Sequence, residues 1–204
     1  MTFTFNMISP ELLELHNAIK KKYAKGATIF MEGNLPLHYY QIISGEVKMS
    51  NFNDDAREFI QGIFHEGQSF GEPPLFIERT YPASAIAVSD CEIYVLTKVQ
   101  FLDMVATNSE VSLEIIENLS RRLHYKSVIA AEISTHDPEH RLLMFMDYSI
   151  KFFELKKGKD GYLINLTRQQ MADLTGLRVE TVIRTIKSLE KKNQIKIISR
   201  KVYR

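Results

Sequence analysis

The sequence is poor in cysteine, with Cys91 as the only one among 204 residues. A single thiol excludes an internal disulfide, a multi-cysteine zinc site and an iron–sulfur cluster held by four thiolates. Cys91 stands in an apolar run and is predicted to be a buried strand residue. The histidines are scattered, and only His136 and His140 have the spacing of a helical pair. Because Asp137 and Pro138 interrupt that pair, we expect no metal site and no haem.

Long apolar runs are also missing. No stretch approaches the length needed to span a bilayer, and residues 1–5 lack the basic lead and apolar core of a signal peptide. We therefore expect a cytoplasmic protein with no membrane partner. The hydrophobic content of 45% is sufficient for true cores, and 204 residues suit one large or two small domains.

The charge is small in total but unevenly distributed. The formal net charge is +1, from 26 Lys and Arg against 25 Asp and Glu. Residues 1–137 hold 11 basic and 18 acidic side chains, a net charge of −7, whereas residues 138–204 hold 15 and 7, a net charge of +8. This split predicts that the C-terminal third meets a polyanion such as DNA. Ordinary solubility is the alternative explanation for the basic end.

Residues 166–186 indicate two short helices joined by a tight turn. Thr167 can N-cap the first helix, and Gln170 can return a hydrogen bond to the cap backbone, which is the capping-box pattern. Gly176 stands where the chain must turn before the second helix. The segment is therefore predicted to be a helix-turn-helix, whose second helix enters the DNA major groove.

The second helix has an apolar side and a polar side. Val182, Ile186 and Leu189 recur at helical spacing and are predicted to face the core. The polar residues left outward are Arg178, Glu180, Thr181, Arg184, Lys187 and Ser188. Arginine can bind guanine O6 and N7, glutamate can accept from cytosine N4, and threonine can touch a thymine methyl. We interpret this side as a base-reading face; the solvated side of an ordinary amphipathic helix is the alternative.

Upstream, residues from about 24 to 97 contain short β-type runs separated by glycines. Short strands at regular spacing with turn signals predict a sandwich or barrel. Its corners are expected at Gly33, Gly45, Gly67 and Gly71.

A long helix is predicted from about Ser109 to Thr135. Its spacing of alternating threes and fours is that of a two-stranded coiled-coil seam formed by Ile116, Leu119, Leu123, Lys126, Ala130 and Ile133. The seam predicts a homodimer. Asp137 and Pro138 then break the helix and can begin another, so a domain boundary is expected there.

Strands are predicted at residues 162–166, 195–198 and 202–203, after a basic turn at 156–161. Added to the helix-turn-helix, they predict a winged helix. This order of elements is accompanied by a specific set of residues: Gly33, Gly45, Gly67, Phe70 to Glu72, Ala83 to Ala85, Arg121 to Leu123, Thr167 to Gln169, Glu180 to Val182, and Arg184.

Together these features resemble the catabolite-activator and fumarate-nitrate-reductase regulator superfamily over nearly the whole chain. The resemblance implies an α+β fold with an N-terminal cyclic-nucleotide-binding-type β-roll (a jelly roll), a long dimerisation helix and a C-terminal winged helix-turn-helix. It divides the chain into a β-roll sensor domain (residues 1–108), a dimerisation helix (109–136) and a winged helix-turn-helix DNA-binding domain (137–204).

The resemblance also implies roles for residues of the winged helix. In the family, the positions of Glu180 and Arg184 contact bases, and those of Arg168 and Lys187 contact phosphates. Val179 stands where the family has an arginine, so we expect a different base preference. The expected DNA-binding set is completed by Thr167, Gln169, Arg178, Thr181 and Arg200.

The segment that begins at residue 70 departs from the cyclic-AMP-binding members. There the segment supplies amides to the phosphate, a glutamate to the ribose, and an arginine followed by a serine. Here Glu72 is kept, but Ala83 stands in place of the arginine before Ser84. A buried phosphodiester without its cation is unfavourable, and the two prolines after Glu72 each remove an amide donor. We therefore expect an effector other than cyclic AMP, or none.

Lys126 falls on the predicted seam, where the family places a ligand-touching hydroxyl residue, and Ser127 follows as in the family. A seam lysine is costly unless it snorkels or is paired. Two such lysines near a pocket could bind an anionic effector; a register-setting or snorkelling lysine is the alternative. The expected effector pocket comprises Gly71, Glu72, Ala83, Ser84, Lys126 and Ser127.

Three functions remain open. The first is a dimeric transcription regulator without enzyme activity, which binds palindromic double-stranded promoter DNA, has RNA polymerase as an expected partner and senses an effector other than cyclic AMP, or none. The second is the same regulator answering to a cyclic nucleotide through altered phosphate contacts. The third is a cupin-like catalytic module, which needs clustered ligands where the roll offers only His38 and His65.

Overall fold

The computed structural model describes residues 8–52, 58–77, 79–133, 137–152 and 155–204, without the side chains of residues 125, 128–133 and 152. The chain forms two compact units, one within Phe3–Arg121 and the other within Arg122–Arg204. Each unit has an apolar core of its own.

The N-terminal unit is a β-roll flanked by helices. Its elements, in chain order, are α1 (Pro10–Leu15), β1 (Ile19–Tyr23), β2 (Thr28–Phe30), β3 (His38–Ser44), β4 (Val47–Phe52), β5 (Glu58–Phe64), β6 (Ser69–Phe70), α2 (Pro73–Phe76), β7 (Ser84–Ala87), β8 (Cys91–Thr97), α3 (Lys98–Thr107) and the first part of α4 (Ser109–Ile133).

The strands of this unit form two four-stranded antiparallel sheets, in the orders β1-β8-β3-β6 and β2-β7-β4-β5. The strand spacing had left a sandwich or a barrel open, and the β-roll that the family resemblance implies is confirmed. The four glycines expected at its corners all have φ values between +74° and +92°, in the left-handed region. Apolar side chains from both sheets form one core that includes Phe30, Tyr40, Ile42, Val47, Phe70, Ala85 and Ile93.

A second core lies on the other face of β3 and β8. Side chains of neighbouring strand residues point to opposite faces, so Tyr40 enters the core between the sheets while Tyr39 packs against α3. The rings of Tyr39 and Phe101 stack with centroids 4.4 Å apart. This core also includes Leu13 of α1 and Ile115 of α4, so the helices cover one face of the roll.

The second unit continues α4 and builds a winged helix. Its further elements are α5 (Pro138–Phe152), β9 (Lys157–Gly158), β10 (Gly161–Ile164), α6 (Arg168–Thr175), α7 (Val179–Lys191), β11 (Lys196–Ile198) and β12 (Lys201–Tyr203). The strands form an antiparallel sheet in the order β11-β12-β10-β9. The core of the unit includes Leu142, Phe145, Met146, Ile164, Met171, Val182, Ile186, Leu189 and Val202.

The predicted elements differ from the structure mainly at short segments. The sequence did not indicate α1, α2, α3, β1 or β6. The strand expected at 162–166 ends at Ile164, and the basic turn at 156–161 contains β9. The helix predicted from Ser109 is confirmed as far as Ile133; the side chains of Ala130 and Ile133 on its predicted seam, and His136 beyond it, lie outside the described part.

Candidate functional site

The start of α6 is fixed by reciprocal hydrogen bonds. The Gln170 backbone N–H donates to Thr167 Oγ1 at 3.1 Å, and the Thr167 backbone N–H donates to Gln170 Oε1 at 2.8 Å. This is the predicted capping box. Gly176 ends the helix with φ +66°, and the N–H of Leu177 donates to the Ala172 carbonyl at 3.1 Å. The capping box fixes where α6 begins, and the turn at Gly176 fixes the direction of α7 relative to α6.

The two sides of α7 are arranged as its spacing predicts. Val182, Ile186 and Leu189 are buried in the core of the unit. Of the residues expected outward, Thr181 and Ser188 are half-buried, whereas the exposed ones are Arg178, Glu180, Arg184 and Lys187. Arg178 holds the N-cap position of α7 but makes no side-chain capping bond, so its guanidinium is not committed to the helix start.

Ser188 belongs to a contact between α7 and α5. Its Oγ donates to Glu139 Oε1 at 2.7 Å, and Lys192 Nζ donates to Glu139 Oε2 at 2.6 Å. The hydrogen bond from Lys192, followed by that from Ser188, holds the pKa of Glu139 below its usual range. Glu139 thus holds the C-terminal half of α7 against α5, and Ser188 takes part in this contact. The sequence did not predict the contact.

The hairpin of β11 and β12 forms the wing beside α6. Its turn passes through Ser199 and Arg200, which have φ values of +49° and +66°. Arg168 Nη2 donates to the Arg200 carbonyl at 3.4 Å, and desolvation of the half-buried Arg168 lowers its pKa. The first residue of α6 is therefore in contact with the exposed tip of the wing. The base of the wing is held by Arg204, which donates to both carboxylate oxygens of Asp147 at 2.6 and 2.8 Å.

The remaining predicted DNA-binding residues lie at the start of α6. Thr167 and Gln169 are exposed, and Gln169 Nε2 donates to Asp173 Oδ1 at 2.7 Å. Exposed basic side chains continue from the end of α7 onto the wing: Lys191, Lys192, Lys196, Arg200 and Lys201. The structure brings together in one unit the DNA-binding residues named from the sequence.

Sequence reasoning missed one exposed residue of the polar side of α7. Ile183 is 42% exposed, although an isoleucine is more often buried. Its neighbour Val182 begins the buried stripe, and a step of 100° per residue carries Ile183 out of that stripe. A helical projection of the sequence would have found it.

The residues named for an effector pocket are divided between the two units. Gly71, Glu72, Ala83 and Ser84 belong to the first unit, and Lys126 with Ser127 to the second. Glu72 is fully buried, and its Oε1 accepts a hydrogen bond from Ser69 Oγ at 2.8 Å.

The surroundings of Gly71 are aromatic. Its φ is +74°, and a Cβ at this position would come within 2.8 Å of the Phe30 ring and 3.3 Å of the Tyr81 ring. Phe30 and Tyr81 stack with centroids 3.7 Å apart. Ala83 is fully buried in the same cluster, so a methyl group stands at the position for which the cyclic-AMP-binding members of the resembling family led us to look for an arginine.

The hydroxyl and amine groups named from the sequence are only partly available to a ligand. Ser84 Oγ accepts a hydrogen bond from the Glu32 backbone N–H at 3.0 Å, and Ser127 Oγ donates to the Leu123 carbonyl at 2.9 Å. The Lys126 side chain is exposed in the single chain. Desolvation of its amine, followed by the charge of Arg122, lowers the pKa of Lys126.

Among the described residues, no group of three or more His, Cys, Asp or Glu side chains is arranged to hold a metal ion. Within the same residues, no helix is both long and apolar enough to cross a bilayer.

Two domain families match the chain. The cyclic nucleotide-binding domain matches residues 20–108, and the Crp-like helix-turn-helix domain matches residues 140–203. The cAMP-activated global transcriptional regulator CRP of Haemophilus influenzae is 29% identical over 175 residues, covering 85% of this chain and 78% of that protein. The cyclic AMP receptor protein of Thermus thermophilus is 25% identical over 195 residues, covering 95% of this chain and 88% of that protein.

Solved structures share the fold at lower identity. The global regulator CLP of Xanthomonas campestris, described as responsive to c-di-GMP, has a TM-score of 0.78 at 24% identity and covers 96% of this chain and 98% of its own. A CooA variant from Carboxydothermus hydrogenoformans has a TM-score of 0.79 at 18% identity, with 98% and 93% covered.

Proposed function

The chain belongs to the CRP/FNR family of DNA-binding transcription regulators, and we propose that it acts as a homodimer that reads palindromic promoter DNA through α7. The observation that carries the proposal is the exposed polar side of α7, with Arg178, Glu180 and Arg184 on a helix whose other side is buried. This helix stands in the part of the chain with a net charge of +8. A positively charged unit with a helix that exposes a polar side suits the phosphate backbone and the base edges of the major groove.

Base reading and phosphate binding are assigned to different residues. Arg184 can donate two hydrogen bonds to guanine O6 and N7, and Glu180 can accept one from cytosine N4. Arg178 extends the reading face at the helix start, and Thr181, although half-buried, can offer its methyl group to thymine. The phosphate contacts are assigned to Thr167, Arg168, Gln169, Lys187 and Arg200, which fix the register of the protein on DNA.

The dimer is assigned to α4. Ile116 and Leu123, one heptad apart, are 58% and 68% exposed, although both are large aliphatic residues. Leu119, between them, is partly buried against the second core, which the helices form on one face of the roll. The edge of α4 with Ile116 and Leu123 is therefore available to bind a partner. A second copy of α4 would cover this edge as in a coiled coil, and the dimer would present two copies of α7 to two half-sites. We keep the division into a sensor domain (1–108), a dimerisation helix (109–136) and a DNA-binding domain (137–204).

The effector is proposed to be something other than cyclic AMP. The buried methyl of Ala83 and the aromatic packing around Gly71 support this, because neither supplies the cation that a buried phosphodiester requires. A further proposal is an anionic effector near Lys126, whose side chain is exposed. A Lys126→Met variant that dimerises and keeps every effector response would refute it.

A cyclic-nucleotide effector bound through altered contacts is the second candidate. It is favoured by the cyclic nucleotide-binding family of residues 20–108 and by the cAMP-activated relatives. The buried Glu72, held by Ser69, keeps the position that contacts the ribose in the resembling family. In either case the protein is proposed to act in the cytoplasm with RNA polymerase as a partner and without catalysing a reaction.

A selected-sequence DNA-binding assay tests the proposal. The full chain is incubated with a random duplex library without ligand, with cyclic AMP and with cyclic GMP, and the bound sequences are read. We expect a palindromic site to be enriched, at equal affinity in the three arms. Enrichment only with a nucleotide would replace the first candidate by the second, and no enrichment in any arm would refute DNA reading that is independent of an effector or driven by these nucleotides.

A further inference from the structure

The polar side of α7 carries one aliphatic side chain, Ile183. A single exposed isoleucine on a protein surface is ordinary, so the exposed fraction of 42% carries little by itself. The position of Ile183 on α7 is more informative. One depression along α7 is lined by Glu180, Ile183, Arg184, Lys187, Ser188 and Lys191. Ile183 therefore shares its surface with the two residues assigned to bases.

The chemistry of a DNA groove leaves one kind of partner for such a side chain. An isoleucine side chain has no charge or hydrogen-bonding group with which to bind a phosphate. If it covered the donors and acceptors of a base edge, those groups would lose their hydrogen bonds to water and gain none in return. The major groove presents one apolar group at a base edge, the C5-methyl of thymine. A methylated cytosine presents the same group at the same ring position.

We propose that Ile183 is a specificity-determining residue that packs against the C5-methyl group of a pyrimidine in each half-site, next to the bases read by Glu180 and Arg184. The inference rests on the proposed function and deepens it, because it names the chemical feature that one position of the site must carry. Ile183 lies in the same turn as Glu180 and directly before Arg184, so its contact falls within the same few base pairs.

The expected effect of one methyl group is modest but measurable. Removing one buried methyl-sized group should weaken binding about fourfold in each half-site. Removing it from both half-sites of a palindrome should multiply the effects, to about fifteenfold. Base pairing is unaffected, because uracil pairs with adenine as thymine does.

The test is a thymine-to-uracil scan of the selected duplex, with binding of the full chain followed by fluorescence anisotropy. For the unaltered protein we expect one symmetric pair of positions at which uracil weakens binding about fifteenfold. The Ile183→Ala variant should bind the thymine duplex as weakly as the unaltered protein binds the uracil duplex, and should not distinguish the two. Ile183→Val, which keeps a branched side chain, should retain most of the discrimination.

A matched control is Val99→Ala, which shortens a side chain 78% exposed on α3, in the other unit. It should leave the scan unchanged. Thermal melting followed by circular dichroism checks that Ile183→Ala is folded. A further arm places 5-methylcytosine or cytosine, paired with guanine, at the identified position. Tighter binding of the methylated duplex would support the methyl contact, and equal binding would contradict it.

The outcomes separate the two proposals. If the unaltered protein selects no DNA sequence, the proposed function fails. If it selects a site and the uracil scan is flat, or if Ile183→Ala keeps the full discrimination, DNA reading stands and the role of Ile183 is refuted.

Discussion

Arg184 and Lys187 lie three residues apart on α7, but their side chains suit different partners. The planar guanidinium of Arg184 can bond two acceptors of one guanine, whereas the Lys187 ammonium is a point charge suited to phosphate. We predict that Arg184→Ala relaxes the preference at one base pair by about 1–3 kcal/mol, and that Lys187→Ala weakens all sequences alike. Affinities for the selected duplex and its single-base variants measure both effects. Equal losses on every sequence from both variants would contradict these roles.

Glu139 gives a pH-dependent prediction for stability. Because Lys192 and Ser188 lower the pKa of Glu139 in the folded state, its stabilising effect is present above the ordinary pKa of a glutamate and is lost as the pH falls through the lowered value. Glu139→Gln should therefore reduce the melting temperature at pH 7 and have a smaller effect at a second, acidic pH below the ordinary pKa of a glutamate. Melting curves of Glu139→Gln, Lys192→Met and the double variant, taken at both pH values, measure this coupling. Additive effects at pH 7 would show that the contact stabilises nothing.

Single residues of the site were predictable where their role follows from spacing. Arg184 and Glu180 were found because the buried stripe of α7 leaves them outward, and Thr167 because a capping box is a local pattern. Ser188 could not be placed in the same way. Its partner Glu139 is 49 residues away in the sequence, and only tertiary packing brings the two together.

At the scale of elements, the turn between α6 and α7 restricts the choice of residue most strongly within the helix-turn-helix. Gly176 has φ +66°, and a Cβ there would meet nothing within 4 Å, so a substitution is opposed by the backbone alone. Gly176→Ala should lower the free energy of unfolding by about 1 kcal/mol, and Gly176→Asn by less, because asparagine tolerates the left-handed region. Urea unfolding measures both.

Gly158→Ala is a matched control, because its added Cβ would meet its nearest neighbour at an ordinary 3.6 Å and its φ is not in the left-handed region. If Gly158→Ala and Gly176→Ala were equally destabilising, the left-handed turn would not be the cause.

A helix or strand could be predicted when its own residues carry the pattern of that element, and could not when it forms only by contact with distant residues. The strands with alternating or continuous apolar residues, such as β3 and β8, were indicated correctly. β1 was not, because Lys20, Lys21 and Lys22 give it no apolar face; it becomes a strand by pairing with β8 along five residues. α3 does carry a local signal, the capping box of Thr97 and Gln100, which would have revealed it.

At the scale of the whole molecule, the exposed edge of α4 should hold the dimer together. Leu123→Glu would place a charge on that edge, where it faces the partner's apolar residues and cannot be solvated. We predict that the unaltered chain sediments as a dimer and Leu123→Glu as a folded monomer. Val99→Glu, which alters a more exposed aliphatic residue on α3, should remain dimeric. A dimer unaffected by Leu123→Glu would move the interface elsewhere.

The arrangement of the molecule could be anticipated from its sequence only in outline. The break at Pro138 and the change of charge along the chain indicated separate sensing and reading parts. The filling of the roll around Gly71 could not be read from sequence, because Phe30, Phe70 and Tyr81 are far apart along the chain and meet only when the two sheets close.

Reading of palindromic DNA by two copies of α7 is tested most directly by protection of guanine N7 in the major groove. The full chain is bound to its selected duplex, and methylation by dimethyl sulfate is mapped on both strands. We predict two protected segments related by two-fold symmetry, with centres about 10 base pairs apart, and loss of the guanine protection in Arg184→Ala. A single protected segment, or protection unchanged in Arg184→Ala, would contradict a dimer that reads DNA through this helix.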